Sequence, residues 1–347
     1  KSVAEVGKNM FFPKLFIKKA QQEVLTMILN LVEAINLGLK QEMTKDKNVI
    51  ILGEDVGIDG GVFRVTDNLL KKFGEKRVID TPIAESGIVG MSIGMAIAGL
   101  KPVAEIQFEG FMLPAFDQLV NHATRIRNRS RGRFSCPLVI RSPFGGMVKA
   151  LEHHSESPET YYVHTPGLKV VVPSTPYDAK GLIVSAIRDP DPVIFFEPKR
   201  IYRAIKQEVP EKEYLIPIGK ANIRKEGDDL TLISWGAMVR ECEKAIENTK
   251  ASIELIDLRT LKPLDTETVI NSVKKTGRCV IVQEAPKTLG LSSEIISIIN
   301  DKALLSLEAP VERITGLDTI VPLAKLEKYY NPSVERIVYG INKVLKY

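Results

Sequence analysis

The chain has 347 residues, of which 44% are hydrophobic and 26% charged, and its formal net charge is +5. This composition predicts a folded, two-domain protein and argues against global disorder. The mild positive charge gives no strong indication of a nucleic-acid partner, and no apolar run is long enough to span a bilayer. Three widely spaced cysteines without a CxxC spacing favour a reducing compartment over a disulfide or zinc framework.

Residues 1–22 mix basic and bulky apolar side chains, and we interpret them as a leader or arm outside the fold. From residue 23 onward, helical patterns alternate with continuous apolar runs, which are typical of buried strands. The predicted strands are 49–53, 77–79, 103–106, 137–140, 168–172 and 193–196, and the predicted helices are 27–41, 87–99, 114–127 and 176–188. This alternation predicts an α/β domain with a parallel sheet over residues 23–200.

A change of composition marks the end of this domain. Residues 201–228 combine prolines with runs of charge and are predicted to form a linker. A second alternating pattern then fills residues 229–347 and predicts a smaller α/β domain. Its strands are expected at 230–235, 253–256 and 280–282, and its helices at 238–249, 266–275, 290–300 and 333–345.

A single carboxylate, Glu85, lies between the predicted strand 77–79 and the glycine-rich helix 87–99. Ile83, Ile88 and Val89 surround it in sequence, so poor solvation should raise the pKa of Glu85. Such a group suits proton transfer or a hydrogen bond to a buried heterocycle. The alternative is a carboxylate that only complements the dipole of the helix.

The glycine-containing loop 53–61 follows a strand but lacks the GxGxxG spacing, and the chain has no GxxxxGK[ST] segment. An NAD site or a phosphate-binding loop is therefore unsupported. Glu54 and Asp55 nevertheless lie at the carboxyl end of a strand, where open α/β sheets bind ligands. They are equally compatible with a solvated turn.

Segment 105–118 places aromatic and amide side chains, including Gln107 and Phe111, at another strand end, where they could stack on and hydrogen-bond a heterocycle. A core role is favoured for Phe108 and Phe116. The loop after residues 141–146 then carries two of the four histidines, at 153 and 154. Adjacent histidines chelate poorly, so an acid/base or anion-binding role is favoured over a metal site. A Ser-His hydrolase lacks support because no GxSxG segment is present.

Taken in order, nine motifs resemble one known family. They are LGED at 52–55, GVF at 61–63, DTPIAE at 80–85, EIQF at 105–108, PAFDQ at 114–118, HS at 154–155, PGLKVV at 166–171, FFEP at 195–198 and LISWG at 232–236. The family is the β subunit of the thiamine-diphosphate-dependent 2-oxo acid dehydrogenases, and the resemblance runs from about residue 25 to the C-terminus. EIQF, PAFDQ, IRSP at 140–143 and FFEPK are closest to the branched-chain (2-oxoisovalerate) members.

The resemblance implies a parallel-sheet pyrimidine-binding, transketolase-like domain followed by a smaller domain like the C-terminal domain of transketolase. It also implies an α2β2 heterotetramer, in which the α subunit holds the diphosphate and Mg²⁺ and the β subunit holds the aminopyrimidine of thiamine diphosphate. The chain lacks the GDG segment of the Mg²⁺ motif, as expected of half an active site.

The implied reaction is oxidative decarboxylation of branched-chain 2-oxo acids, with reductive acylation of a lipoyl group on a dihydrolipoyl acyltransferase core. The implied partners are therefore the α subunit, this core and a small 2-oxo acid, with neither nucleic acid nor membrane. The expected location is the cytoplasm, or the mitochondrial matrix in a eukaryote. The alternatives are a pyruvate dehydrogenase β subunit, the C-terminal half of a split transketolase and a non-catalytic scaffold.

The resemblance also implies roles for individual residues. Glu85 would hydrogen-bond the pyrimidine N1′ and favour the imino tautomer, whose nitrogen removes the thiazolium C2 proton. Phe111 would pack on the pyrimidine, Gln107 would line the pocket, and Glu54 would belong to an acidic relay between two active sites. His154 would assist reductive acylation of the lipoyl group, and the adjacent histidine has no assigned role.

Members of this family also carry a potassium ion that is bound mostly by main-chain oxygens. The positions that match this site here are Cys136, Leu138, Val139, Ala186, Asp189 and Asp191.

Overall fold

The computed structural model of the protein describes residues 25–347, and the arm expected at residues 1–22 lies outside this range. The strands are β1 Thr26–Leu29, β2 Val49–Gly53, β3 Val78–Asp80, β4 Lys101–Glu105, β5 Val139–Phe144, β6 Lys169–Val171, β7 Val193–Pro198, β8 Gln207–Pro210, β9 Asn222–Lys225, β10 Leu230–Ser234, β11 Ile253–Asp257, β12 Thr260–Lys262, β13 Cys279–Pro286 and β14 Glu312–Gly316. The α-helices are α1 Leu31–Lys45, α2 Leu69–Phe73, α3 Glu85–Ile97, α4 Ile126–Arg129, α5 Glu159–His164, α6 Pro176–Arg188, α7 Ala237–Glu247, α8 Thr266–Thr276, α9 Leu291–Ala303, α10 Glu327–Tyr330 and α11 Val334–Val344. No helix within residues 25–347 is long and apolar enough to cross a bilayer.

The larger sheet has seven strands in the order β12-β6-β7-β5-β4-β2-β3. All neighbours are parallel except β12, which pairs antiparallel with β6 at one edge. Every residue of β2, β5 and β7 is buried, as expected of strands that are covered on both faces. The predicted α/β fold is confirmed.

The smaller sheet has five strands in the order β14-β13-β10-β11-β9 and is parallel except for β9. Residues 201–228, which were predicted to form a linker, contribute strands to two sheets. Strand β8 pairs antiparallel with β1, and β9 forms the edge of the smaller sheet. Strand β12 also comes from the second half of the chain and completes the larger sheet, so the two halves are joined by hydrogen-bonded strands.

The predicted helix 27–41 is wrong in its first turn, because residues 26–29 form β1 and α1 begins at Leu31. A capping box sets this boundary. The Asn30 side chain accepts a hydrogen bond from the amide of Glu33 (3.0 Å), and the Glu33 carboxylate accepts one from the amide of Asn30 (2.8 Å). These reciprocal bonds satisfy amides that have no partner within the helix, which favours initiation at this residue.

The predicted helix 114–127 is also wrong as a continuous element. Residues Gln118–His122 form a π-helical turn, a 3₁₀ turn follows at Ala123–Arg125, and only then does α4 begin. The side chains of Thr124 and Arg125 both donate to the carbonyl of Val120, at 2.9 and 3.1 Å. These side-chain bonds occupy a carbonyl that the regular helix would use. Single π-helical turns of this kind are frequent at functional sites.

The register of the central strands decides where the site lies. Gly53 at the end of β2 pairs with Asp80 at the end of β3 and with Glu105 at the end of β4, and Glu105 pairs with Arg141 of β5. The segments that follow β2, β3, β4 and β5 therefore leave the sheet at the same edge. This carboxyl edge is where open α/β sheets bind ligands.

Candidate active site

The turn after β2 brings a carboxylate into the interior at the carboxyl edge. A Cβ at Gly53 would lie 2.6 Å from the carbonyl oxygen of Glu105, so glycine is required where the two strand ends meet. Glu54 is buried as a result. Its pKa is raised, mainly by burial and further by the negative charges of Glu85 and Asp55. Glu54 and Glu85 thus lie close enough to interact electrostatically.

Glu85 is the first residue of α3 and is half-buried. The following Ser86 hydroxyl donates to the carbonyl of Pro114 (2.5 Å), which ties the start of the helix to the segment after β4. Ile88 and Val89 are buried, but Ile83 is 82% exposed. The apolar shielding expected from Ile83 is therefore absent in this chain alone, because that side chain contacts solvent. Full burial of Glu85 requires a second surface.

The segment after β4 places an amide and an aromatic ring at the same edge. Gln107 Nε2 donates to Asp55 Oδ2 at 3.0 Å, which links this segment to the turn after β2. Phe111 is half-buried and meets Phe108 edge to face, with 6.1 Å between the ring centroids. The fold thus brings the predicted residues Glu54, Glu85, Gln107 and Phe111 to one edge of the larger sheet.

His154 joins this edge through the same aromatic rings. Its imidazole lies edge-on to Phe108 and Phe111, at centroid distances of 4.2 and 5.3 Å. Burial, and then the positive charge of Lys199, lower the pKa of His154, which favours the neutral form of the ring. By contrast, the side chain of the preceding residue, His153, is exposed to solvent. The structure therefore separates the two histidines, and only the predicted one packs against the aromatic cluster.

Three buried ion pairs support the site, and the sequence pattern did not predict them. Glu109 and Lys199 are 2.6 Å apart in the interior, where burial raises the pKa of Glu109 to about 7 against the opposing charge of Lys199. Arg141 bridges Glu105 (2.6 Å) and Glu197 (2.7 Å) below the strand ends. The sequence did contain an indication of these pairs, namely charged residues at the ends of continuous apolar strands. A charge that is buried there requires a partner of opposite charge.

The positions expected to bind potassium come together, although they lie in two separate segments. The amide of Cys136 donates to the carbonyl of Pro190 (3.2 Å), which joins the start of β5 to the turn between α6 and β7. The acidic side chains there are already paired, Asp189 with Lys169 (2.6 Å) and Asp191 with Arg127 (2.7 Å). The potassium site, with mostly main-chain ligands, remains a prediction. Within the described range, no cluster of three or more metal-ligating side chains is present.

Comparison with known proteins gives consistent matches over both halves. Residues 29–205 match the family model described as transketolase, pyrimidine binding domain, and residues 219–337 match transketolase, C-terminal domain. A protein of Acholeplasma laidlawii named pyruvate dehydrogenase E1 component subunit beta is 57% identical over 322 residues, covering 92% of this chain and 98% of its own. A protein of the same name from Bacillus subtilis is 49% identical, with 92% and 99% coverage.

A solved structure described as a split gene transketolase, inactive beta4 tetramer, superposes with a TM-score of 0.75 at 21% identity. It covers 92% of this chain and 98% of its own. At this identity the likeness shows the fold alone.

Proposed function

Because the chain belongs to the transketolase-like β subunits of the 2-oxo acid dehydrogenase E1 component, we propose that it forms the pyrimidine half of a thiamine-diphosphate site and acts on pyruvate. The name that both relatives carry supports pyruvate, the alternative to the branched-chain prediction. The motifs that favoured branched-chain substrates include Phe195, Phe196 and Glu197, which are all fully buried. Such residues report on core packing and not on contact with a substrate.

The observation that carries the proposal is the convergence of Glu54, Glu85, Gln107 and Phe111 at the carboxyl edge. A carboxyl, an amide and an aromatic ring fit the hydrogen-bonding and stacking needs of an aminopyrimidine. When bound, thiamine diphosphate supplies the electron sink for decarboxylation of a 2-oxo acid. In this proposal Glu85 holds a proton at the pyrimidine N1′, Phe111 packs on that ring, and Gln107 lines the pocket.

The same proposal gives His154 the transfer step. A neutral imidazole beside Phe111 can exchange a proton as the acyl group passes to a lipoyl carrier on the acyltransferase core. Mg²⁺ and the diphosphate would be held by a separate α subunit, and K⁺ by main-chain oxygens near Cys136 and Asp189. The bacterial sources of the relatives support a cytoplasmic location over a mitochondrial matrix.

The test uses the chain assembled with its cognate α subunit, Mg²⁺ and thiamine diphosphate. Turnover of pyruvate and of 2-oxoisovalerate is measured with an artificial electron acceptor for the wild type, for Glu85→Gln and for Glu75→Gln, a control on the exposed loop before β3. We expect pyruvate to be preferred, and Glu85→Gln to lower kcat about 10²- to 10⁴-fold, because the proton at N1′ is lost. The Glu75→Gln control should keep the wild-type rate.

Four outcomes would contradict the proposal in different ways. Preference for 2-oxoisovalerate would restore the branched-chain assignment. Full-rate turnover by this chain without the α subunit would exclude a shared site. Unchanged activity of Glu85→Gln would support a scaffold. A transketolase assay with sugar phosphates would show activity only if the split-transketolase alternative were correct.

A further inference from the structure

The loop that carries His154, residues 145–155 (the histidine loop), has a backbone that directs several amides to one side. Gly145, Met147 and Lys149 have φ values of 86°, 62° and 59°. Left-handed residues at alternate positions make successive N–H groups converge, and such a concavity binds an anion. Because Met147 and Lys149 carry a Cβ, this conformation is unfavourable for them and persists only where the surroundings hold it.

Two carboxylates of the second half of the chain occupy this concavity. Glu327, the first residue of α10, accepts hydrogen bonds from three successive amides, those of Met147, Val148 (3.2 Å) and Lys149 (3.0 Å). Glu284, on β13, accepts a hydrogen bond from the amide of Gly146. Glu327 is 3% exposed and Glu284 is 6% exposed. Four consecutive loop amides thus bind two buried carboxylates that come from another part of the chain.

These carboxylates also pack against the end of the histidine loop. A Cβ at Gly146 would lie 3.1 Å from the carbonyl oxygen of Ser155 and 3.2 Å from Glu327 Oε1. Ser155 directly follows His154. The two ends of the loop therefore meet at the bound carboxylates, and a side chain at Gly146 would crowd this contact.

Within residues 25–347, no other group forms a hydrogen bond to the side chain of His154 that would orient the imidazole. Its Nδ1 is buried and has no hydrogen-bond partner there. The ring packs in edge-type contacts against Phe108 and Phe111, and such contacts supply no hydrogen bond. The position of the imidazole therefore depends on the backbone of the histidine loop.

We propose that Glu327 and Glu284 form a carboxylate latch, through which the second half of the chain positions His154 for acyl transfer. The inference rests on the proposed function, because it assumes that His154 serves transfer to the lipoyl carrier and not decarboxylation. Both residues are positioning residues. Because charge-assisted hydrogen bonds are roughly twice as strong as neutral ones, loss of the charge at Glu327, which three loop amides contact, should weaken the latch.

The test compares Glu327→Gln with Glu294→Gln, a change at an exposed residue of α9, in the assembled complex. Two rates are measured: decarboxylation with an artificial electron acceptor, and reductive acylation of a lipoyl domain. His154→Asn provides the reference for loss of acyl transfer. We expect Glu327→Gln to lower acylation about tenfold or more, because small misplacement of a catalytic group is costly, while decarboxylation stays within about twofold. The control should change neither rate.

Unchanged acylation, or parallel loss of both rates, would overturn the latch. Thermal melting and the size of the complex show whether each variant is folded. If Glu327→Gln does not assemble, Glu284→Gln serves as the second variant with the same expected selectivity.

Limited trypsin cleavage after the exposed Lys149 gives a readout that is independent of activity. Cleavage should be faster in Glu327→Gln than in the control, and equal rates would overturn the latch. If the wild-type complex fails to acylate a lipoyl domain, the proposed function is wrong, whereas the cleavage comparison still tests whether Glu327 holds the loop.

Discussion

Glu159 is a buried carboxyl that accepts a hydrogen bond from one other side chain. Trp235 Nε1 donates to its Oε1 at 3.2 Å, and within the described range its Oε2 has no partner. Burial raises the pKa of Glu159 to about 8, against the smaller opposing effects of its hydrogen bonds. The folded protein therefore keeps a proton at neutral pH that the unfolded chain, with its ordinary pKa of 4.5, releases.

This difference makes the contribution of Glu159 to stability depend on pH. Between pH 4.5 and about 8 the folded state binds the proton and the unfolded state does not, so the free energy of unfolding falls as pH rises. The expected slope is about 1.4 kcal/mol per pH unit, and it flattens above pH 8. We expect Glu159→Gln to remove this slope, because glutamine still accepts the Trp235 hydrogen bond without ionising.

The measurement is thermal melting of the assembled complex at pH 5.5, 7 and 8. Glu159→Gln should gain stability over the wild type as pH rises, and Glu247→Gln, at the exposed end of α7, should follow the wild-type curve. Parallel curves for the wild type and Glu159→Gln would contradict the assignment. Trp235 is the single tryptophan of the chain, so a 5-fluorotryptophan label in this subunit reports the same titration by ¹⁹F NMR.

At the scale of elements, the packing of α1 on α6 depends on one glycine. A Cβ at Gly38 would lie 2.6 Å from Cγ2 of Ile183 and 3.4 Å from the carbonyl of Lys180. Ile183 is fully buried and cannot move into solvent. The two helices therefore approach each other at Gly38 as closely as their side chains allow.

We expect Gly38→Ala to destabilise the protein, although alanine is the better helix former. Overpacking a buried contact costs about 1–3 kcal/mol, whereas the gain in helix propensity is at most about 1 kcal/mol. Urea denaturation measures the difference. Lys40→Ala, at an exposed position on the same helix, should stay within about 0.5 kcal/mol of the wild type. A more stable Gly38→Ala would show that α6 can shift to accept the methyl group.

The elements that the sequence predicted well are those with continuous apolar runs, because burial on both faces leaves this pattern in a strand. Strand β2 and helix α6 were predicted at residues 49–53 and 176–188, as found. Strands β1, β8, β9, β12 and β14 were missed, since each has at most five residues and lies in a two-stranded pair or at a sheet edge. Their partner strands are distant in the chain, so no local hydrophobic pattern indicates these strands.

The same holds for the candidate site: residues near local motifs were predicted from the sequence, whereas contacts between residues distant in the chain were not. Glu85, Glu54, Gln107, Phe111 and His154 were predicted because they lie within or between ordered motifs. The ion pairs below the site were not, because Arg141 and Glu197 are 56 residues apart and Glu109 and Lys199 are 90 apart. A pairing over such distances depends on strand order, which the sequence pattern leaves open.

At the scale of the whole molecule, apolar side chains remain exposed around the carboxyl edge. Ile58, after β2, is 85% exposed, Ile83, before α3, is 82% exposed, and Leu113, after β4, is 46% exposed. All three belong to the segments that carry the candidate site. Exposed apolar side chains grouped in this way mark a surface that another molecule covers. This supports the proposed α subunit, which would also complete the burial of Glu85.

We therefore expect Ile83→Asp to weaken assembly with the α subunit. A charge in a desolvated interface costs binding energy, because its hydration is lost without a partner, and we expect a rise in Kd of about a hundredfold or more. Leu305→Asp provides the control, because Leu305 is fully exposed in the second half of the chain and outside the segments of the carboxyl edge. Analytical ultracentrifugation of the mixed subunits measures the complex, and thermal melting of each variant checks its fold. If Ile83→Asp assembled as tightly as the wild type, this face would not be the α-subunit interface, and Glu85 would remain open to solvent.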